Sequence, residues 1–264
     1  MAGKSLVITS GKGGVGKTTT VANIGTALAM MDYKVCLIDA DIGLRNLDVV
    51  MGLENRIVYD IVDVVEENCR LEQALIRDKR HKNLFLLPAA QTRDKTAVQP
   101  GQMKTLVEDL KNEMDYVVID SPAGIEQGFK NAIAGADFAL IVTTPEVSAV
   151  RDADRIIGLL EAEGLKNPEV IINRINAEMV SRGDMMNIED IIEILAVKLK
   201  GIVPEDNIIV VSSNRGEPVV LKENPKAGKA FKNIARRITG EEVNFISIED
   251  NSFFTKLKKI FSFS

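Results

Sequence analysis

One stretch near the N-terminus constrains the fold of this chain more than any other. Gly11 and Gly16 are separated by four residues, and Lys17 and Thr18 follow directly. An apolar, β-branched run precedes the stretch, and a helical periodicity follows it over residues 19–31. Glycines at a strand-to-helix turn let backbone N–H groups surround an anion, and the helix N-terminus adds partial positive charge. The stretch is therefore a complete phosphate loop and predicts nucleotide binding.

The phosphate-loop pattern also predicts the roles of individual residues. Lys17 is expected to reach the β- and γ-phosphates, and the Thr18 hydroxyl is expected to ligate Mg²⁺. The predicted nucleotide-binding residues of the loop are Gly11, Lys12, Gly13, Gly14, Val15, Gly16, Lys17, Thr18 and Thr19.

Lys12 is a second lysine that the general pattern does not require. By itself it is either a functional cation or a solvated charge beside the phosphates. The run Lys-Gly-Gly-Val-Gly-Lys-Thr over residues 12–18 resembles the deviant Walker A motif of the MinD/ParA family of ATPases. The resemblance implies an ATP-bound homodimer in which Lys12 crosses the interface to the partner's nucleotide. Phosphoryl transfer generally needs an added cation, so Lys12 and Lys17 are both predicted to be catalytic.

Apolar runs that are typical of strands alternate with helical runs along the chain. This alternation predicts an α/β fold with a mostly parallel, twisted sheet and helices on both faces, the architecture of P-loop NTPases. Residues 1–240 form the predicted ATPase domain and residues 241–251 a linker. The predicted strands are 6–9, 35–39, 84–87, 116–120, 139–143, 169–172 and 208–211, and the predicted helices are 19–31, 102–113, 148–163, 188–196 and 225–239.

Acidic residues follow two of the predicted strands. Asp120 ends a buried strand, where a carboxylate would face Mg²⁺, usually through water. Asp39 and Asp41 lie at alternate positions of an extended segment and are expected to face the nucleotide together. Asp39 would assist the Mg²⁺ water shell, and Asp41 would polarise the attacking water. The alternative is that these carboxylates only cap turns. Residues 39–48 resemble the first switch segment of the family, which implies that Asp41 is the hydrolytic residue.

Base recognition is predicted at two further strand ends. Asn173 could read the adenine edge, and Arg174 could stack on its face. Pro204 and Asp206 lie in a second segment of this kind. Strand-end asparagine and proline are also ordinary turn formers, but both segments resemble the adenine-binding elements of the family and so favour ATP over GTP.

The helix predicted over residues 148–163 begins with mixed charges. On its own this indicates a solvated face. The corresponding helix of the family contacts the division inhibitor MinC and the activator MinE, so the resemblance implies that Arg151, Asp152 and Asp154 contact partners.

The last residues differ from the rest of the chain in charge. Residues 251–264 carry +3, against −8 for the remaining residues and a total of −5. At 100° per residue the tail is amphipathic, which predicts an interfacial helix over residues 252–264 that binds anionic lipid. The alternatives are packing on the body or in a partner's groove. The predicted membrane residues are Phe253, Phe254, Lys256, Leu257, Lys258, Lys259, Ile260 and Phe261.

Composition limits the remaining classes of function. The acidic body disfavours nonspecific nucleic-acid binding, and the absence of a signal-peptide pattern predicts a cytoplasmic protein that is peripheral on the inner membrane face. The favoured function, which the family resemblance implies, is a Mg²⁺-dependent ATPase that positions the bacterial division site. It would recruit MinC and leave the membrane after ATP hydrolysis stimulated by MinE or another activator. A DNA-partitioning ATPase and a membrane scaffold that binds nucleotide without turnover stay open as rivals.

Overall fold

A single eight-stranded sheet organises the molecule. The structure, a computed structural model, describes residues 2–94 and 96–246. The sheet has the order β3-β4-β2-β5-β1-β6-β7-β8, and only β3 is antiparallel to its neighbour. The strands are β1 (Lys4–Thr9), β2 (Val35–Asp39), β3 (Ile76–Arg77), β4 (Leu84–Leu87), β5 (Tyr116–Asp120), β6 (Phe138–Thr143), β7 (Glu169–Ile175) and β8 (Lys198–Pro204).

Helices cover both faces of this sheet, as the alternation predicts, and the predicted fold class is confirmed. Two short 3₁₀ turns accompany them at Glu54–Arg56 and Val219–Leu221. The helices are α1 (Lys17–Met30), α2 (Leu47–Met51), α3 (Ile61–Val65), α4 (Leu71–Ala74), α5 (Pro100–Lys111), α6 (Gln127–Ile133), α7 (Val147–Ala162), α8 (Ala177–Arg182), α9 (Ile188–Leu195), α10 (Ile208–Asn214) and α11 (Lys226–Ile238).

The central strands carry runs of consecutive apolar residues because both sheet faces are buried. Val7 packs into the core on the face covered by α5, α6, α7 and α9. Leu6 and Ile8 pack into the core on the face covered by α1 and α11. Successive side chains of a strand point to opposite faces, so a buried central strand needs an apolar residue at every position.

One predicted strand is wrong. Residues 208–211 begin α10, and the preceding strand-like run is the true last strand, β8. Asp206 accepts a hydrogen bond from the Ile208 N–H at 3.1 Å, which supports a turn at this point. Ile208 and Ile209 then pack on the core while Val210 and Val211 are exposed, so a short apolar run follows a helical rather than an extended path.

The C-terminal predictions fall largely outside the described residues. Residues 241–246 of the predicted linker lie against the body, where Arg237 donates to the Val243 carbonyl at 2.9 Å and its guanidinium lies 4.1 Å from the Phe245 ring centroid. The predicted membrane helix over 252–264 lies outside the described residues and stays a prediction, as does the division into domains. Within 2–94 and 96–246, no helix combines the length and apolarity that crossing a membrane requires.

Two glycines allow a close backbone contact between α2 and α10. Gly216 has φ +63°, and a Cβ built on it would lie 2.4 Å from the Gly52 Cα. Arg80 bridges the same junction, since it donates to the Met51 carbonyl at 2.6 Å and to the Gly216 carbonyl at 2.8 Å. The loop before β4 is therefore joined to the ends of both helices.

This contact predicts a stability difference between two glycine variants. Gly216→Ala should lower the free energy of unfolding by about 2 kcal/mol or more, because the new methyl group overlaps backbone and the left-handed φ is strained. Gly158→Ala is the control, since a Cβ at this exposed helix position meets nothing within 4 Å. The control should raise the free energy of unfolding by about 0.5–1 kcal/mol in denaturant titrations. Equal effects of the two variants on the free energy of unfolding would contradict the close backbone contact between Gly216 and Gly52.

Candidate functional site

The predicted phosphate-binding and acidic residues meet at the carboxyl edge of the central strands. β5 lies between β1 and β2, and its Asp120 is in register with Ile8 on one side and with Asp39 on the other. The phosphate loop leaves β1 two residues after Ile8 and enters α1. This is the edge at which a parallel α/β sheet binds ligands.

The shape of the phosphate loop depends on its glycines. Gly14 and Gly16 have φ of +79° and +99°. A Cβ on Gly11 would lie 2.4 Å from the Asp152 carbonyl oxygen, and a Cβ on Gly16 would lie 2.4 Å from the Asn173 side-chain nitrogen. The loop is thus packed between α7 and β7 with no room for side chains at these two positions.

Lys17, Thr18 and Asp120 form a polar cluster under the loop. Lys17 is 8% exposed, and burial lowers the pKa of its ammonium although the charges of Asp120 and Asp41 oppose the shift. Burial raises the pKa of the Asp120 carboxyl well above its ordinary value, with the charge of Asp39 adding to the shift, while a hydrogen bond from Thr18 and the charge of Lys17 oppose it.

One oxygen of this cluster is unsatisfied. Asp120 Oδ1 is buried and has no hydrogen-bond partner among the described residues. Mg²⁺ prefers oxygen ligands, keeps several waters, and is commonly held by one or two carboxylates together with substrate phosphates. A buried carboxylate oxygen beside the Thr18 hydroxyl fits such an ion, so this pair could hold Mg²⁺.

The contacts of Asp39 bear on the two roles that the sequence allowed for it. Its carboxylate is 1% exposed and accepts hydrogen bonds from the N–H groups of Asp41 at 3.0 Å and of Asn46 and Leu47 at 3.1 Å. Burial raises its pKa to about 6, although the three N–H donors oppose the shift. Asp39 therefore caps the turn after β2, as the alternative interpretation states, and its part in the Mg²⁺ water shell stays a prediction. Asp41 is partly buried, and its charge acts on Lys17.

Lys12 contacts its own chain. Its ammonium lies 3.3 Å from a Glu146 carboxylate oxygen and 3.2 Å from the Ser148 hydroxyl. Both charged side chains are largely exposed, so the pair is weak, worth roughly 1 kcal/mol or less. Sequence reasoning did not identify Glu146 and Ser148, because they are more than 130 residues away and nothing in their local pattern indicates the contact.

Three of the four residues predicted to recognise the base line a cavity of about 310 Å³ beside Gly16 and Thr19. Asn173, Arg174 and Asp206 line it together with Ile209 and Val210, whereas Pro204 is buried at the end of β8 and is not among the lining residues. Asn173 is engaged within the chain, because its Nδ2 donates to the Val15 carbonyl at 2.8 Å and its Oδ1 accepts from the Arg174 N–H. It therefore also fixes the phosphate loop.

The predicted partner residues lie on the first turns of α7. Arg151 and Asp154 are exposed, and Asp152 is partly buried where its backbone contacts Gly11. This helix is thus in direct contact with the phosphate loop.

Comparison with known proteins identifies the fold family. Residues 6–219 match the model of the CobQ/CobB/MinD/ParA nucleotide binding domain. The septum site-determining protein MinD of Bacillus subtilis (strain 168) is 57% identical over 263 residues, which cover 98% of each chain. The chain belongs to the MinD family. Expectations of fold and family membership are thereby confirmed, and the family places this chain among nucleotide-binding proteins.

Solved MinD structures share the architecture described above. MinD in a MinC:MinD cell division protein complex from Aquifex aeolicus is 53% identical, with a TM-score of 0.87 over 92% of this chain and 99% of that chain. MinD complexed with Mg-ADP from Pyrococcus horikoshii OT3 is 30% identical, with a TM-score of 0.81 over 89% of this chain and 95% of that chain.

The packing of the phosphate loop predicts different outcomes for two of its glycines. Gly11→Ala should lower the melting temperature of the nucleotide-free protein and weaken nucleotide binding about tenfold or more, because the methyl group would overlap the α7 backbone. Gly13→Ala is the control for unfolding, since a Cβ there meets only the Ala123 methyl group at 4.0 Å. Scanning calorimetry without nucleotide should leave this control near wild type. A wild-type melting temperature for Gly11→Ala would contradict the packing argument.

Proposed function

We propose that this chain is a Mg²⁺-dependent ATPase that dimerises around ATP, docks on the inner face of the cell membrane and takes part in placing the division site. The observation that carries the proposal is the cluster of buried Lys17 and Asp120 with partly buried Thr18, behind a loop in which Gly11 and Gly16 leave no room for a Cβ. Such a cluster is suited to binding a triphosphate, since its cation, hydroxyl and carboxylate lie beside one loop of N–H donors.

Each residue of the cluster has a distinct part in hydrolysis. Lys17 binds the β- and γ-phosphates, and Asp41 orients the water that attacks the γ-phosphorus as the bond to the leaving ADP oxygen breaks. A bound Mg²⁺ would neutralise charge on the phosphates, with Thr18 and Asp120 holding it. Asp39 acts through the backbone, because its three hydrogen bonds fix the segment that carries Asp41.

Lys12 is proposed to couple nucleotide to dimer formation. In the single chain its ammonium pairs with Glu146, and the exposure of both groups makes this pair easy to exchange for a phosphate. The cation then stabilises charge on the partner's nucleotide. Mg-ADP in the P. horikoshii relative supports adenine as the base, which would occupy the cavity beside Asn173 and Arg174.

The proposed partner contacts are supported by a relative's complex, and the proposed membrane contact is supported by the sequence of the tail. The MinC:MinD complex of the A. aeolicus relative supports MinC as a partner, and we propose that Arg151, Asp152 and Asp154 contact it or the activator MinE. The lysine-rich amphipathic tail supports contact with anionic lipid. Burial of its apolar residues is offset by the ordering cost of about 1 kcal/mol or more per residue, so one tail binds weakly and the two tails of a dimer bind together.

The two lysines of the loop predict the behaviour of the protein on lipid. Wild type should sediment with vesicles containing phosphatidylglycerol in ATP but not in ADP. Lys12→Ala and Lys17→Ala should both abolish the ATP-dependent fraction, the first because no dimer forms and the second because ATP does not bind. Lys104→Ala, which removes an exposed lysine of α5, is the control and should behave as wild type. Sedimentation of Lys17→Ala in ATP would overturn the proposal.

The proposed role of Asp41 predicts that its loss impairs ATP hydrolysis but not ATP binding. Asp41→Ala should keep ATP binding and ATP-dependent sedimentation, while steady-state phosphate release falls about 100-fold or more because the attacking water loses its orienting group. The measurement is phosphate release with and without vesicles. An unchanged rate would remove Asp41 from the mechanism.

The tail predicts a complementary result. Deletion of residues 252–264 should leave ATP affinity unchanged and release the protein from vesicles, because the apolar face that enters the lipid is lost. Calorimetric titration with ATP and vesicle sedimentation check the two halves of this expectation. Retention of the shortened protein on lipid would show that the tail is not the principal anchor.

A further inference from the structure

A second polar cavity lies at the amino ends of the parallel strands, whereas the phosphate loop lies at their carboxyl ends. Its volume is about 740 Å³, and the loop between β3 and β4 forms one wall while the end of α1 forms another. The charged residues that line it are Asp32, Arg56, Arg77, Asp78, Lys79, Arg80 and Lys82.

The charge of this lining is opposite to that of the whole chain. Five arginines and lysines face two aspartates, a net +3 with histidine neutral, whereas the chain carries −5. Arg77, Lys79 and Lys82 are exposed, and none of the three has a carboxylate partner within 4.0 Å in the part of the chain that the structure describes. Other cations near this edge are paired, as Lys111 is with Asp137 and Lys200 with Glu169.

The loop that carries these cations is held in a fixed shape. Asp78 is 3% exposed and accepts hydrogen bonds from the backbone N–H groups of Arg80 and His81, and it is also paired with the Arg80 guanidinium at 2.7 Å. Burial alone would raise the pKa of the Asp78 carboxyl, but the hydrogen bonds and charge of Arg80 outweigh it, so that the pKa is lowered. Arg80 is therefore a structural cation, and the exposed ones flank it.

The end of α1 does not leave its carbonyls open to the cavity. Asn83 donates to the Ala29 carbonyl at 2.9 Å and to the Tyr33 carbonyl at 2.7 Å. Met31 donates to Leu28 in the same turn. These oxygens already have donors, so the exposed side chains of the basic loop dominate the chemistry of the cavity. Lysine and arginine donors around an open volume are suited to phosphate oxygens.

The root of the C-terminal tail lies at this same edge of the sheet. α1 and α11 pack side by side, and α11 ends beside the start of β8, where Arg237 donates to the Lys200 carbonyl at 3.2 Å. The chain then passes Arg237 as far as residue 246. The cavity opens at the end of α1, so the basic loop and the last described residues share the amino edge of the sheet, away from the nucleotide site.

We propose that the cavity formed by the β3–β4 loop binds the phosphate of an anionic phospholipid headgroup, as a second contact with the membrane that the tail enters. The inference rests on the proposed membrane association. The cavity lies at the β3–β4 end of the strand order and the tail root at the β8 end, but both lie on the amino edge of the sheet, which one flat membrane surface can contact, and this favours lipid over a soluble polyphosphate. Each lysine near an anionic surface strengthens its attraction to the protein, and attachment of the tail raises the effective concentration of headgroups at the cavity.

The test uses the full chain in ATP with phosphatidylcholine vesicles that contain increasing fractions of phosphatidylglycerol. The variant carrying both Lys79→Ala and Lys82→Ala should bind about tenfold or more weakly at a given anionic fraction, and Lys79→Arg with Lys82→Arg should restore binding. The control carries Lys104→Ala and Lys130→Ala, which remove the same charge from exposed positions on α5 and α6, on the other face of the sheet. It should bind within about twofold of wild type.

The outcomes separate this inference from the proposed function. If wild type does not bind vesicles in ATP, the membrane proposal and this inference both fail. If wild type binds and the Lys79/Lys82 alanine variant binds equally, or no more weakly than the Lys104/Lys130 control, the cavity is not a lipid site while the proposed function stands. Calorimetric titration of the ADP-saturated protein with sodium tripolyphosphate tests the soluble source. Tripolyphosphate binding that the variant loses, with vesicle binding unchanged, would assign the cavity to a soluble anion and overturn the lipid inference.

Discussion

The site depends on a steric constraint on the phosphate loop. α7 approaches the loop at Gly11, and β7 approaches it through Asn173 at Gly16, so that neither glycine position has space for a Cβ. The backbone N–H groups can surround phosphates only if the loop keeps this path. Two elements far apart in sequence therefore determine the shape of the loop, and α7 in turn exposes Arg151 and Asp154 on its outer surface.

The polar cluster beneath the loop is costly to the folded state. Lys17, Asp39 and Asp120 are all buried, and burial opposes the charged form of each. Asp39 offsets part of the cost with three backbone hydrogen bonds, whereas Asp120 keeps an oxygen without a partner among the described residues. The two carboxylates thus differ in kind, since one organises the backbone and the other is available to a ligand. Functional sites commonly carry such uncompensated groups, at the expense of stability.

Much of the fold could be predicted because buried parallel strands require continuous apolar runs, and the phosphate loop has a distinctive spacing. The failure at residues 208–211 has the same origin, since four apolar residues in a row fit a strand or one helical turn. The role of Asp39 depends on how residues 41–47 fold back over it, and the contact of Lys12 with Glu146 depends on tertiary structure. Neither leaves a local signal in the sequence.

The two outer strands of the sheet are poor templates for a further strand. On one side β3 has only two residues and runs antiparallel to β4. On the other side the Arg237 guanidinium donates a hydrogen bond to the Lys200 carbonyl of β8, and β8 ends at a proline. Short or covered edges of this kind prevent sheets of neighbouring molecules from joining side by side. Growth of the sheet from one molecule to the next is thereby disfavoured, so a dimer of this chain is expected to use surfaces other than its outer strands.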